Sequence, residues 1–335
     1  MSNIPKEHSR YDLIDERLDQ LISIDIGLRG VEHLHAAARK KLGGSPVGAA
    51  ADQLAALPPQ STVVMTTGSV SRAWISPTIG ENDGPAGAAV IARALAVSKK
   101  IHCIMVCEET LAPGIAAIFR AAGLSVLPYE DAKRASQDGS LAAVSFETFP
   151  VKDDTATQRA VEILDLARPA LLFSTERVGR AVDGKYYSMR GIEYGMGRAR
   201  VDRLFDEGLA RSIPTVCVGD GGNEIGMASI AETVHQHVKH GKRLCSVTPT
   251  DVLVPAACSN WGCSAIAGAL ALRLNNARLL HKPERERMLL DRGVELGLIN
   301  AVANLVDPHA DGISQNTHVA VVQMIQSIIE PHLHQ

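Results

Sequence analysis

The run Ile213-Pro214-Thr215-Val216-Cys217-Val218-Gly219-Asp220-Gly221-Gly222-Asn223-Glu224-Ile225-Gly226-Met227-Ala228 decides how this chain is read. A short apolar stretch passes straight into glycines interleaved with Asp, Asn and Glu, and an apolar, helix-like segment follows. Glycine tolerates left-handed dihedrals and lets a ligand approach the backbone closely. Acidic and amide side chains in so tight a turn point to chemistry, because ligands bind at the carboxyl ends of strands in an open parallel sheet.

The same punctuation recurs on either side. Residues 61–67 are β-branched and open into Gly68-Ser69-Val70-Ser71-Arg72, a second strand followed by a polar glycine loop. Residues 101–107, 124–127, 170–174 and 251–255 also read as strands, as do 243–247. Helical patterns cover 88–97, with Pro85 near the start, and 113–122, 157–167, 201–210 and 265–274. Ahead of the first strand, Leu13, Ile14, Leu18, Leu21 and Ile22 share one helical face, Gly27 and Gly30 break the pattern, and a second helix runs on to Leu42. A third covers 47–57 and stops at Pro58-Pro59. Strands alternating with helices imply a parallel sheet with right-handed crossovers. The expected fold is α/β, a mostly parallel Rossmann-like sheet flanked by helices. Residues 1–60 form an N-terminal helical extension and residues 61–335 one compact unit.

The chain has 335 residues, 46% hydrophobic and 21% charged, ordinary for a globular protein. Aromatics are only 4%, so the core must rest on Ala, Leu, Val and Ile. A net charge of −3 without a long basic run argues against a nucleic-acid partner. No stretch approaches the roughly 18 apolar residues that span a bilayer, and no apolar signal core opens the chain. Cys103, Cys107, Cys217, Cys245, Cys258 and Cys263 are scattered through apolar runs, which reads as reduced, buried thiols in a cytoplasmic protein. The helical extension suggests packing against another subunit, so a homo-oligomer is expected.

Six polar clusters stand at strand ends: Ser69 to Arg72, Glu81-Asn82-Asp83-Gly84-Pro85, Glu108-Glu109, Glu176-Arg177, the Asp220 loop, and Ser259-Asn260-Trp261-Gly262. A doubly wound sheet lines such ends along one edge, which points to an enzyme site. Local readings compete: Asp220 as a helix cap, Glu176-Arg177 as a structural ion pair, Glu108-Glu109 as a solvated helix start, Trp261 as packing. His235, His237 and His240 read as a solvated face. No Gly-x-Gly-x-x-Gly string directly follows a strand, which argues against NAD.

The segments Glu81 to Ala88, Thr175 to Ala181, Tyr187 to Gly191, Gly219 to Met227 and Ser259 to Gly262 resemble, in this order, the C-terminal domain of the D-glutamate cyclase family. The resemblance covers nearly everything after about residue 60 and implies a carbon-oxygen lyase that converts D-glutamate to 5-oxo-D-proline with loss of water. That chemistry asks for a general base, an acid, an anchored carboxylate and donors to an oxyanion. Asp220 and Glu224 are the candidate base and acid, with Asn223 and Glu176 beside them. Arg72, Arg177 and Arg190 are candidate carboxylate clamps, and Ser69 and Asp83 candidate substrate contacts. Asn223, Asn260 and the Gly221 and Gly222 amides are candidate oxyanion donors. Asp83, Asp220, Glu224 and Asp251 offer hard oxygen ligands for Mg²⁺ or Mn²⁺. The alternatives are a divalent-metal-dependent hydrolase or lyase acting on another small lactam or carboxylate, and a non-catalytic module that binds such a ligand.

Overall fold

The computed structural model describes residues 10–333. Three helices lead: α1 (Arg10–Ile22), α2 (Val31–Leu42) and α3 (Pro46–Ala56). Then come β1 (Thr62–Thr66), α4 (Pro85–Lys99), β2 (His102–Cys107), α5 (Ala112–Ala121), β3 (Ser125–Val126), α6 (Tyr129–Asp138), β4 (Ala143–Thr148), α7 (Asp153–Ala167) and β5 (Leu171–Thr175). The second half carries α8 (Asp202–Ala210), β6 (Thr215–Gly219), α9 (Ala231–His237), α10 (Gly241–Leu244), β7 (Val252–Pro255), α11 (Ser259–Arg273), α12 (Pro283–Glu295) and α13 (Gln315–Ile329).

The seven strands form one sheet in the order β3-β4-β2-β1-β5-β6-β7, and all pairs are parallel. The α/β expectation holds. From β1 the chain first winds outward through β2, then returns to β5 on the other side. The order therefore reverses between β1 and β5, and the carboxyl ends of these strands frame a crevice.

Side chains alternate between the two faces with the strand period of two. Val63, Met65, Leu171, Phe173, Val216 and Val218 enter the core shared with α1, α3, α4 and α11. Val64, Leu172, Cys217 and Leu253 enter the core shared with α2, α7 and α8. α11 is buried along nearly its whole length, as a helix apolar on all sides must be. Its alanines, with Gly268 against Ile325 and Ile329, let α3, α4 and α13 approach closely, so little aromatic bulk is needed. The apolar face of α1 (Ile14, Leu18, Leu21 and Ile22) is covered by this same core within the chain. All six cysteines are free and buried. No helix among the described residues is long and apolar enough to cross a membrane.

Two local expectations change. Residues 243–247 are not a strand: α10 occupies Gly241–Leu244. Gly241 lies so close to the Val234 carbonyl that a side chain would collide with it, and Arg243 stacks over the Tyr187 ring, 4.6 Å from its centre. The edge position of the sheet goes to β7. Glu108 is no solvated helix start either, since its carboxylate is buried in an ion pair described below.

Candidate active site

Each functional side chain comes from the carboxyl end of a strand or from a loop that folds over those ends. After β6, Gly222 (φ 114°) and Gly226 (φ 103°) adopt dihedrals that an L side chain resists. The loop between them curls back on itself. The Glu224 carboxylate accepts from the backbone N–H groups of Asp220 (3.2 Å), Gly221 (2.8 Å) and Gly222 (2.7 Å). The Gly221 and Gly222 amides are therefore committed to Glu224 and start no helix. A short 3₁₀ turn (Met227–Ile230) follows instead, which corrects the expectation of two free oxyanion donors.

The Asp220 carboxylate projects from this loop and is not a helix cap. Its partner is Arg29, from the α1–α2 connection, whose Nη2 lies 3.2 Å away. The same nitrogen donates to the Ala257 carbonyl (2.7 Å) and pairs with Asp311, from the loop ahead of α13. Asp25 fixes the Arg29 loop by accepting from the N–H groups of Arg29, Gly30 and Val31. Across the crevice, Asp83 accepts from the amides of Gly84 (2.8 Å), Asn260 (3.2 Å) and Ser259 (3.3 Å) and from the Cys258 thiol (3.3 Å). Glu176 follows β5 in a left-handed conformation (φ 53°) and accepts a 2.6 Å bond from the Ser259 hydroxyl. Asn260 opens α11. Its Oδ1 accepts from Gly84 and Gly87, pinning α4 to α11, while its buried Nδ2 meets no partner among the described residues.

These groups crowd one another. Oxygens of Asp83, Asp220 and Asp311 lie within 4.8 Å of one another, as do those of Glu176, Asp220 and Glu224. Burial, together with the Asp311 charge, pushes Asp83 up to about 7. Burial raises Glu176 well above the usual carboxylate range, and the charges of Asp83, Glu224 and Asp311 add to it. Burial raises Asp220 strongly too, against the pull of Arg29. Three neighbouring carboxyls whose proton affinity is raised to different degrees by different surroundings are equipped for acid and base work. A hollow of about 480 Å³, lined in part by Arg29, His33, Met189 and Lys239, opens beside this cluster. Larger surface hollows near Arg168 and Glu109 lie elsewhere.

The structure brings together Asp83, Glu176, Asp220, Glu224 and Asn260, with Asn223 alongside, donating to the Tyr187 carbonyl (2.6 Å) and the Tyr194 hydroxyl (3.3 Å). Ser69 accepts from Arg198 Nε at 3.0 Å. The other expectations are corrected. Arg177 is no free clamp: it forms a buried bidentate pair with Glu108 at 2.9 and 2.8 Å, so the ion pair involves Glu108 rather than Glu176. Arg72 donates to the Ala301 carbonyl and Asn304, and Arg190 to the Val302 carbonyl, so both hold the loop that carries Asp311. Asp251 precedes β7 and binds Thr215 at the opposite end of the sheet, too far round to share a metal with Asp220. Trp261 is packing, with its indole N–H on His318, and His235, His237 and His240 are exposed.

Sequence reasoning missed Arg29, Asp311, Tyr194 and Arg198. Two weak signals stood in the chain: Arg29 lies in the glycine-flanked break between two helices, and Asp311-Gly312 is a turn dipeptide.

The model of the D-glutamate cyclase-like, C-terminal family matches residues 18–326, beginning inside α1. The human protein named D-glutamate cyclase, mitochondrial, is 28% identical over 338 residues, covering 93% of this chain and 51% of its own length. The chain thus spans about half the length of that curated relative. With a match over nearly all of its described residues, the chain belongs to the D-glutamate cyclase-like, C-terminal family.

Proposed function

We propose that this site cyclises D-glutamate to 5-oxo-D-proline with loss of water, as a carbon-oxygen lyase. The observation that carries the reading is the trio Asp83, Glu176 and Asp220, whose proton affinities are raised together in one crevice. D-Glutamate arrives with an ammonium group and two carboxylates. The amine nitrogen bonds to the carbon of the γ-carboxyl group, one C–O bond of that group breaks, and the oxygen leaves as water. The two protons lost from nitrogen are the two that the water carries away, so the reaction needs a relay and no net proton source. In this reading Asp220, its charged form favoured by Arg29, takes a proton from the amine, and Glu176 delivers one to the departing oxygen. Asn260 Nδ2, unpartnered among the described residues, donates to the oxyanion on the γ-carboxyl carbon. Glu224 acts by holding the loop. Binding glutamate already folded back on itself contributes entropy on the order of 7 kcal/mol in the best intramolecular cases.

Chiral mass spectrometry of the purified protein with D- and L-glutamate tests this. We expect 5-oxo-D-proline from the D isomer alone, and Asp220→Asn to cut turnover by roughly 10² to 10⁴-fold with an unchanged circular dichroism spectrum. Wild-type turnover in Asp220→Asn removes that residue from the mechanism, and no lactam from either isomer sinks the reading.

A second reading is favoured by the two carboxylate triads. An all-oxygen donor set suits Mg²⁺ or Mn²⁺, and Asp83, Asp220 and Asp311 would hold the ion and offset the substrate's charge. Loss of turnover in chelator, restored by Mg²⁺ or Mn²⁺, is the outcome that supports it; full turnover in chelator rules it out.

A further inference from the structure

Arg198 is 1% exposed, yet among the described residues none of its nitrogens meets a carboxylate. Nε donates to the Ser69 hydroxyl, Nη1 to the Tyr194 carbonyl, and Nη2 has no acceptor among the described residues. The guanidinium lies over the Tyr194 ring, 3.3 Å from its centre. Burying a cation against neutral partners is costly unless an anion completes the site. The other wholly buried arginine shows the contrast, because Glu108 matches both ends of the Arg177 fork. Glu81 and Glu108 lie within range of the Arg198 charge, but Glu81 bonds Ser71 and Glu108 is taken by Arg177 and the Ala199 amide.

Two further donors belong to residues in contact with this guanidinium. The Ser69 hydroxyl accepts from Nε and keeps its own proton to give. The Tyr194 hydroxyl accepts from Asn223 Nδ2 and likewise keeps its proton. Both residues adjoin the carboxyl cluster. Ser69 follows Gly68, where an added Cβ would sit 2.9 Å from the Asp83 carbonyl and 3.8 Å from Glu176 Cγ. Asn223 belongs to the Asp220 loop.

We propose that Arg198, Ser69 and Tyr194 form the receptor for the substrate's α-carboxylate, an assignment that rests on the cyclase reading of this crevice. The two carboxylates of glutamate make opposite demands. The γ-carboxyl loses an oxygen and must be protonated, so it belongs beside Asp220 and Glu176. The α-carboxylate stays ionised from substrate to product, so it needs a permanent cation, and a guanidinium is always charged. The lactam product keeps that group and binds the same receptor.

Tyr194→Phe and Ser69→Ala each remove one hydroxyl and spare the buried arginine. Each is expected to raise KM for D-glutamate and Kd for 5-oxo-D-proline roughly 10-fold, with a smaller change in kcat. Calorimetry is expected to show 2-pyrrolidone, the lactam without a carboxylate, binding roughly 100-fold more weakly than 5-oxo-D-proline. Arg198→Lys, checked for folding by circular dichroism, is expected to lose more than either, since an ammonium cannot reproduce the fork. Bromide-soaked crystals supply a readout independent of turnover: an anomalous peak is expected beside Nη2. Bromide there without lactam formation keeps the anion receptor and sinks the cyclase reading. Turnover with wild-type KM and Kd in folded Tyr194→Phe and Ser69→Ala, or no bromide at Nη2, overturns the receptor.

Discussion

Glu176 concentrates the tension of the site in one residue. Its backbone is left-handed, which costs on the order of 1–3 kcal/mol for a non-glycine residue, and its carboxyl is crowded by Asp83 and Glu224. Because burial raises its proton affinity, its contribution to stability is fully present below the unfolded carboxylate range and is lost as pH rises through the folded value. His102, pushed down to about 4 by burial, and His318, also lowered, run the other way, so the raw pH profile mixes signs. Glu176→Gln isolates the carboxyl, since its amide oxygen still accepts from Ser259. The variant is expected to gain stability relative to wild type as pH rises above the unfolded carboxylate range towards the raised folded value, read as the gap between urea midpoints. A gap that does not move with pH would mean the buried charge is not costly. The residue was legible in sequence as a candidate; its strain and its neighbours were not, because Asp83 lies 93 residues before it and Glu224 48 residues after it.

At the scale of elements, the arginines expected to grip substrate do a different job. Arg72 follows β1, Arg190 lies in the excursion after β5, and Arg29 links α1 to α2; all three reach the segment 301–311. Asn300 adds internal order by accepting from the amides of Val302, Ala303 and Gly312. The segment covers the carboxyl cluster and delivers Asp311 to it. Arg72→Ala removes the bonds to Ala301 and Asn304, and amide exchange across residues 300–312 is expected to accelerate roughly 5- to 10-fold while the strands keep their protection. Unchanged exchange by mass spectrometry would show that the loop is held without Arg72. Arginine type and loop position were readable in the sequence; the partner carbonyls, which carry no residue signature, were not. β4 and α6 escaped the pattern reading too: α6 is mostly Ala, Ser and charged residues, and in β4 Val144 and Phe146 are interspersed with Ala, Ser and Glu, so it is pairing with β2 that makes Ala143–Thr148 a strand.

Across the whole molecule, the Arg177–Glu108 pair ties the sheet's carboxyl edge together. It joins the ends of β2 and β5, and Arg177 also donates to the Thr67 carbonyl after β1 and to the Ala199 carbonyl. Both side chains are almost fully buried, at 1% and 2% exposure. Glu108→Gln leaves a buried guanidinium uncompensated and is expected to cost about 3–5 kcal/mol, measured by urea denaturation. A loss within about 1 kcal/mol would show that water reaches the pair. Because the pair braces the crevice and does not line it, Arg177 is placed here in stability rather than in substrate binding.

The sequence by itself determined the alternation of strands and helices, the parallel sheet, the glycine loop after β6 and the membership of Asp83, Glu176, Asp220 and Asn260 in one edge. Those follow from hydrophobic period, glycine dihedrals and the rule that crossovers align strand ends. Only the tertiary structure decided which charges neutralise which. Arg177 was drawn to Glu108, Glu224 to its own loop amides, and Asp251 to the far end of the sheet, while Arg29, Asp311 and Arg198 arrived from segments with no shared motif. Pairing depends on distances of a few ångströms between residues up to 282 positions apart along the chain (Arg29 to Asp311), and burial sets the cost of every charge left without a partner.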